Sequence, residues 1–104
     1  MPQNSYAIID FEQLEPIPCP CGLARRALMD DPTVPYSFHV TVISRTARLH
    51  YHKRLTETYY FLECSTDAAM ELDGDIVKVS PGQAVVVHPG TRHRAVGEMK
   101  VAII

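Results

Sequence analysis

The sequence predicts an all-β domain, an antiparallel sandwich or barrel, and three observations carry that prediction. From Tyr36 onward, short apolar runs recur about every eight to ten residues, the spacing of a β-sandwich or barrel. Within the runs apolar and polar residues alternate, as in Phe38-His39-Val40-Thr41-Val42, which is the period of a strand with one buried face. Between two of the runs stands Asp73-Gly74. Glycine supplies the positive φ that a type I′ turn requires, so this dipeptide is a strong hairpin signal.

Taken in order, Tyr6 to Asp10 reads as a brief strand. Glu15 to Gly22 holds Pro16, Pro18 and Pro20 and reads as an extended connector, because proline is excluded from helix interiors. Leu23 to Asp30 fits either two turns of helix, carrying Ala24, Ala27 and Leu28, or an arginine-bearing strand. The β region opens with Phe38 to Val42. It continues through Arg48 to His52, Thr58 to Leu62, Ala68 to Leu72, Ile76 to Val79, Ala84 to Val87 and Met99 to Ile104. Pro81-Gly82 and Pro89-Gly90 mark two further turns. The chain then divides into an N-terminal strand with a Pro-rich arm over 1–35 and a barrel over 36–104, one domain in all.

Composition bounds the function. A chain of 104 residues has room for one domain. Lys and Arg number 10 against 12 Asp and Glu, so no basic excess exists to displace counterions from nucleic acid. No apolar run approaches the ~18 residues of a membrane span. The first ten residues lack the basic and apolar regions of a secretory leader, so a cytoplasmic protein is expected. The three cysteines, Cys19, Cys21 and Cys64, cannot all pair within one chain and are too few for a disulfide scaffold. They read as reduced thiols without a site of their own.

Histidine distribution carries the chemistry. His50 and His52 flank Tyr51 on an expected strand, so their side chains share a face with Cα atoms roughly 6.6 Å apart. Two imidazoles so placed can lean onto one metal ion. Glu57 opens the next strand and can reach the same ion, and His93 follows the Pro89-Gly90 turn, where a chain reversal can aim it inward. A half-exposed strand with ordinary alternating polar residues would also show a His-x-His pair.

The segment resembles a cupin. The first motif of that family stands here as Ser44-x5-His50-Tyr51-His52-x4-Glu57-x6-Cys64, and the second as Gly82-x5-His88-Pro89-Gly90-Thr91-Arg92-His93-x3-Gly97. Ser44 and Cys64 stand where the family usually has glycine, His88 where it usually has proline, and Gly97 where it often has asparagine. The resemblance implies an antiparallel jelly-roll β-barrel, with one divalent transition metal ion on His50, His52, Glu57 and His93. Three imidazoles and one carboxylate suit Fe, Mn, Ni, Cu or Zn. His88 is expected on the rim and not as a further ligand, and His39 on the polar face of its strand.

Strand parity proposes the neighbours of that ion. Arg48 shares a face with His50 and His52, so it is expected to point inward as an anchor for an anionic substrate. The alternative is that it reaches the mouth, or pairs with a carboxylate such as Glu63. Glu57, Tyr59, Phe61 and Glu63 share a face, which makes Tyr59 a wall residue and a hydroxyl donor, unless it only fills the core. Phe38, Val40, Met70, Leu72, Val85 and Val87 are expected to complete an apolar wall. Arg92 and Arg94 belong at the rim.

Several functions suit such a site. Cupins include dioxygenases, sugar-phosphate isomerases and decarboxylases, and the absence of a dedicated general base besides Tyr59 favours the dioxygenase-like reading. A non-catalytic small-ligand binder or sensor, or a domain that the ion only rigidifies, are the alternatives. The resemblance and the extended arm both imply a homodimer.

Overall fold

A computed structural model describes residues 5–44 and 46–104. Residues 1–4, at the start of the expected arm and of the leader reading, and residue 45, inside the first motif, lie outside the described part. Nine strands occur among the described residues: β1 Ile17–Cys19, β2 Gly22–Ala27, β3 Phe38–Ile43, β4 Glu57–Cys64, β5 Ala69–Leu72, β6 Asp75–Lys78, β7 Ala84–Val87, β8 His93–Val96 and β9 Met99–Ile103. They form a six-stranded sheet in the order β1-β2-β3-β9-β4-β7 and a three-stranded sheet in the order β6-β5-β8. Every ladder is antiparallel. The sheets are not joined into a closed barrel; they face one another as a sandwich of the jelly-roll kind.

Local chemistry explains the joints. Asp73 and Gly74 both have positive φ, 49° and 89°, and Leu72 pairs with Asp75 across them, which is the tight hairpin expected. At the β1–β2 turn, a Cβ on Gly22 would lie 2.0 Å from the Val42 carbonyl oxygen, so only glycine lets β2 approach β3 there. The ambiguous stretch after it is a strand. An isolated eight-residue helix is marginal, whereas β3 offers β2 six consecutive partners, from Gly22↔Ile43 to Ala27↔Phe38.

Three expectations about elements need correction. Tyr6 to Asp10 is not a strand; it leads into one 3-10 turn, Phe11–Gln13, capped by Asp10, whose carboxylate accepts from the Glu12 N–H at 3.0 Å. Phe11 then stacks on Phe38 with ring centroids 5.3 Å apart. Arg48 to His52 is not a strand either, since only His50 makes a bridge, to His93. In β3 the faces are the reverse of those expected: Thr41 and Ile43 are 4% and 3% exposed and Val42 is 48% exposed. Period two sets which residues go together, but not which set goes inside. Ile43 packs into the core, with Met99 opposite it on β9, and this carries Thr41 and His39 to the inner face and Val40 and Val42 to the outer one.

The core lies between the sheets. Ile43, Tyr59, Phe61, Val87, Met99 and Val101 from the large sheet meet Met70 and Ala95 from the small one, with Ala68 and Val79 beside it. A register shift between Phe61 and Glu63 in β4 inserts Leu62 and ends the alternation, so Glu63 is exposed and does not share the inward face of Glu57, Tyr59 and Phe61. No helix among the described residues is long and apolar enough to cross a membrane.

Candidate metal centre

Four side chains from both sheets converge at one end of the sandwich. Glu57 opens β4 in the large sheet, paired with Val87. His93 opens β8 in the small sheet, paired with Leu72. His50 lies beside it: His50 and His93 exchange both backbone hydrogen bonds, at 3.1 and 2.7 Å. The His52 carbonyl accepts from the Gly90 N–H at 2.7 Å, which ties the Pro89-Gly90 turn to the His-x-His stretch. The Asp73 carboxylate accepts from the Arg92 N–H at 2.8 Å, and the Arg92 carbonyl accepts from the Asp73 N–H at the same distance. The hairpin tip thus fixes the residue just before His93.

One ligand atom from each of His50, His52, Glu57 and His93 lies within 4.8 Å of all the others. His93 Nε2 and His52 Nε2 stand 3.0 and 3.1 Å from the same oxygen, Glu57 Oε1. Two rings are held from behind. His50 Nδ1 donates to the Arg48 carbonyl at 3.0 Å and His93 Nδ1 donates to the Thr91 carbonyl at 2.9 Å. A carbonyl oxygen can only accept, so each of these rings, when neutral, turns a bare Nε2 lone pair toward the cluster, the tautomer of a metal-ligating histidine. His93 is wholly buried. His52 Nε2 is sealed from solvent, and its approach to Glu57 lacks hydrogen-bond geometry. His93 Nε2 also has hydrogen-bond geometry to Glu57 Oε1, a contact that either a proton or a metal ion between the two satisfies. With His52 Nε2 sealed and unpartnered beside the same oxygen, these residues fit a divalent metal ion.

Tyr59 borders the cluster. Its ring stands edge-on to His93 with centroids 6.0 Å apart. Burial, then the charge of Glu57, raise its phenol well above the ordinary range, so the hydroxyl keeps its proton and remains a donor. Arg48 is elsewhere: it is exposed in the irregular stretch before His50, and only its carbonyl joins the site, through His50. His88 is exposed on the Pro89-Gly90 turn and outside the cluster. Arg92 lies over the exposed Tyr51 ring at 5.1 Å, while Arg94 binds Glu71 through Nε and a terminal nitrogen at 3.3 and 2.9 Å.

The family model described as Cupin domain matches residues 38–103. The chain belongs to the cupin family. A crystal structure of a protein from Planctomyces limnophilus is 36% identical to this cupin, with a TM-score of 0.89 over 99% of this chain and 86% of the other. Ectoine synthase from P. lautus and KdgF from Halomonas sp. are each 18% identical. Their TM-scores are 0.79 and 0.76, over 94% and 95% of this chain and 75% and 90% of theirs. At that identity they establish the fold alone. No curated protein matches the cupin's sequence significantly.

Two inner-face polar residues of the large sheet were not legible in the sequence, and one of them, His39, shares a cleft with Glu57. His39 had been expected on the polar face, and Arg26 lay in the stretch that read as helix or strand. The β2–β3 register sets them side by side, and the burial of Thr41 and Ile43, further along β3, fixes their face.

Proposed function

We propose that this cupin is a mononuclear metalloenzyme that acts on a small organic, anionic substrate in the manner of a dioxygenase. The observation that carries the reading is the convergence of three imidazoles and one carboxylate, with one ligand atom of each within 4.8 Å of all the others. A divalent transition ion (Fe, Mn, Ni, Cu or Zn) bound there supplies a Lewis acid and, for Fe, Mn or Cu, a redox centre. His50, His52, Glu57 and His93 hold it, and the Arg48 and Thr91 carbonyls keep two of the rings in the ligating tautomer.

Tyr59 is proposed as the catalytic hydroxyl, because it borders Glu57 and retains its proton. Arg48, exposed two residues before His50, is proposed to draw the anion toward the site and not to anchor it inside. The fold is compatible with catalysis, since one structural relative is named a synthase. Free cysteines suit a reducing, cytoplasmic setting. A homodimer is proposed as the working form.

Loading the protein anaerobically with Fe(II) and following oxygen uptake over a panel of thiols, catechols and keto acids tests the reading. Substrate-dependent uptake that falls at least tenfold in Tyr59→Phe is the expected result. Tight binding of a panel member without turnover under any of the five metals would make the protein a binder and overturn the enzymatic reading.

A further inference from the structure

The inner face of the large sheet carries a row of side chains set by register. Arg26 pairs with His39, His39 with Ile103, and Ile103 with Tyr59. One residue pair further along β4 is Glu57. The row therefore runs from a guanidinium, through an imidazole, to the edge of the metal centre. Burial and then the charge of Arg26 lower the His39 pKa, while Glu57 pulls it the other way, so both charges are felt at that ring.

These groups lack partners. Arg26 Nε and His39 Nε2 are sealed from solvent and meet no hydrogen-bond acceptor among the described residues. The carboxylates near the other inner and outer arginines are taken: Glu12 faces Arg25 at 3.5 Å, and Glu71 binds Arg94. No ion pair within the described residues includes Arg26. Arg25 Nε is also without a hydrogen bond, yet its guanidinium has Glu12, which leaves Arg26 as the different case. A half-buried guanidinium without a counter-ion is costly unless an anion completes it.

A cleft reaches from His39 and Ile103 of the row to Glu57 of the centre. It measures about 160 Å³ and is lined by Tyr36, Ser37, His39, Thr56, Glu57 and Ile103 among others. Sites for drug-sized ligands span roughly 300–1,000 Å³, so this one suits a molecule of few heavy atoms. Arg26 stands beside His39 in the register and is not itself on the cleft wall. With His39 held toward neutrality, the Arg26 guanidinium is the positive charge felt at that ring. It balances a carboxylate and only part of a phosphate, and the planar guanidinium fork matches carboxylate geometry.

We propose that Arg26 and His39 form an anion-binding pair that receives the carboxylate of a small organic acid bound beside the metal centre. The inference rests on the metalloenzyme reading for what happens to that acid, but the pair itself is tested without turnover. Binding the acid turns the two side chains toward it and satisfies both nitrogens, and the rest of the molecule then lies against Thr56, Glu57 and Ile103.

The test is a titration of ¹⁵N-labelled, Zn-loaded protein with pyruvate, with pyruvamide as its uncharged counterpart and inorganic phosphate as the competing anion. The Arg26 Nε–H signal, identified by its loss in Arg26→Lys, is expected to shift with pyruvate. The dissociation constant is expected to rise at least tenfold in Arg26→Gln, severalfold in His39→Gln and less in Arg26→Lys, with metal content unchanged in all three. An unchanged constant in Arg26→Gln, or tighter binding of phosphate than of pyruvate, would overturn the pair. Repeating the titration on metal-stripped protein separates the two readings. Binding that persists without metal and vanishes in Arg26→Gln upholds the pair whatever the fate of the metalloenzyme. Binding that vanishes without metal and is intact in Arg26→Gln upholds the centre and rejects the pair.

Discussion

Glu57 Oε1 is the atom on which the centre turns, with a histidine nitrogen on either side at 3.0 and 3.1 Å. The four clustered residues were legible in the sequence because their spacing is that of two motifs, and motif spacing survives errors in secondary structure. The stretch around His50 is not a strand, yet its histidines still join the cluster, with one backbone pair between His50 and His93 to hold them. Arg48 shows the opposite case. Its inward placement depended on strand parity over a stretch that has none. Nearby, burial, then a hydrogen bond and charge from Cys19 at 3.1 Å, push the Cys21 thiol from 9.0 up to about 11. The unfolded chain therefore loses that proton first as pH rises, and the stabilisation present below pH 9 is lost progressively toward pH 11. Tyr59, raised in the same way from 10.0, adds to the loss above pH 10. The melting temperature is expected to fall between pH 9 and 11, and to fall less in Cys21→Ala. An equal fall in that variant would contradict the assignment.

Among the elements, the junction of β2 with β3 is the most constrained. Gly22 faces the Val42 carbonyl, and an added Cβ 2.0 Å from a backbone oxygen must force the strands apart. Gly22→Ala is expected to cost roughly 2–3 kcal/mol, which for a domain near 100 residues lowers the melting temperature by about 10 °C or more. Calorimetry checks this, and an unchanged melting temperature would show that the turn relaxes without strain. Elements bounded by turn signals, such as β5 and β6 around Asp73-Gly74, could be read directly. β8 could not. Its four residues include His93 and Arg94, and they are a strand because β5 pairs with each of them, a condition outside the local sequence. The face of β3 was likewise undecidable locally, since Phe38-Val40-Val42 is the more apolar set yet faces outward.

For the whole molecule, that reversal leaves an apolar outer face on the large sheet. Leu23, Val42, Tyr60 and Val86 are all exposed on it, from four of its six strands. The Pro-rich arm was expected to add to a partner's sheet edge; β1 pairs with β2 of its own chain and forms one edge of the large sheet. The outer face is proposed as the surface through which the homodimer forms. Light scattering at micromolar concentration is expected to give twice the chain mass, and Val42→Lys to give the monomer. A monomeric parent protein would contradict the proposal.

The family and the two-sheet fold rest on the chain as a whole, whereas the central claim concerns four side chains. Elemental analysis of the purified protein, the parent beside His52→Ala and His88→Ala, tests that claim most directly. One divalent transition ion per chain in the parent, a severalfold loss in His52→Ala and no loss in His88→Ala is the predicted result. Equal losses in both variants, or a parent protein that binds none of the five metals when they are supplied, would contradict it.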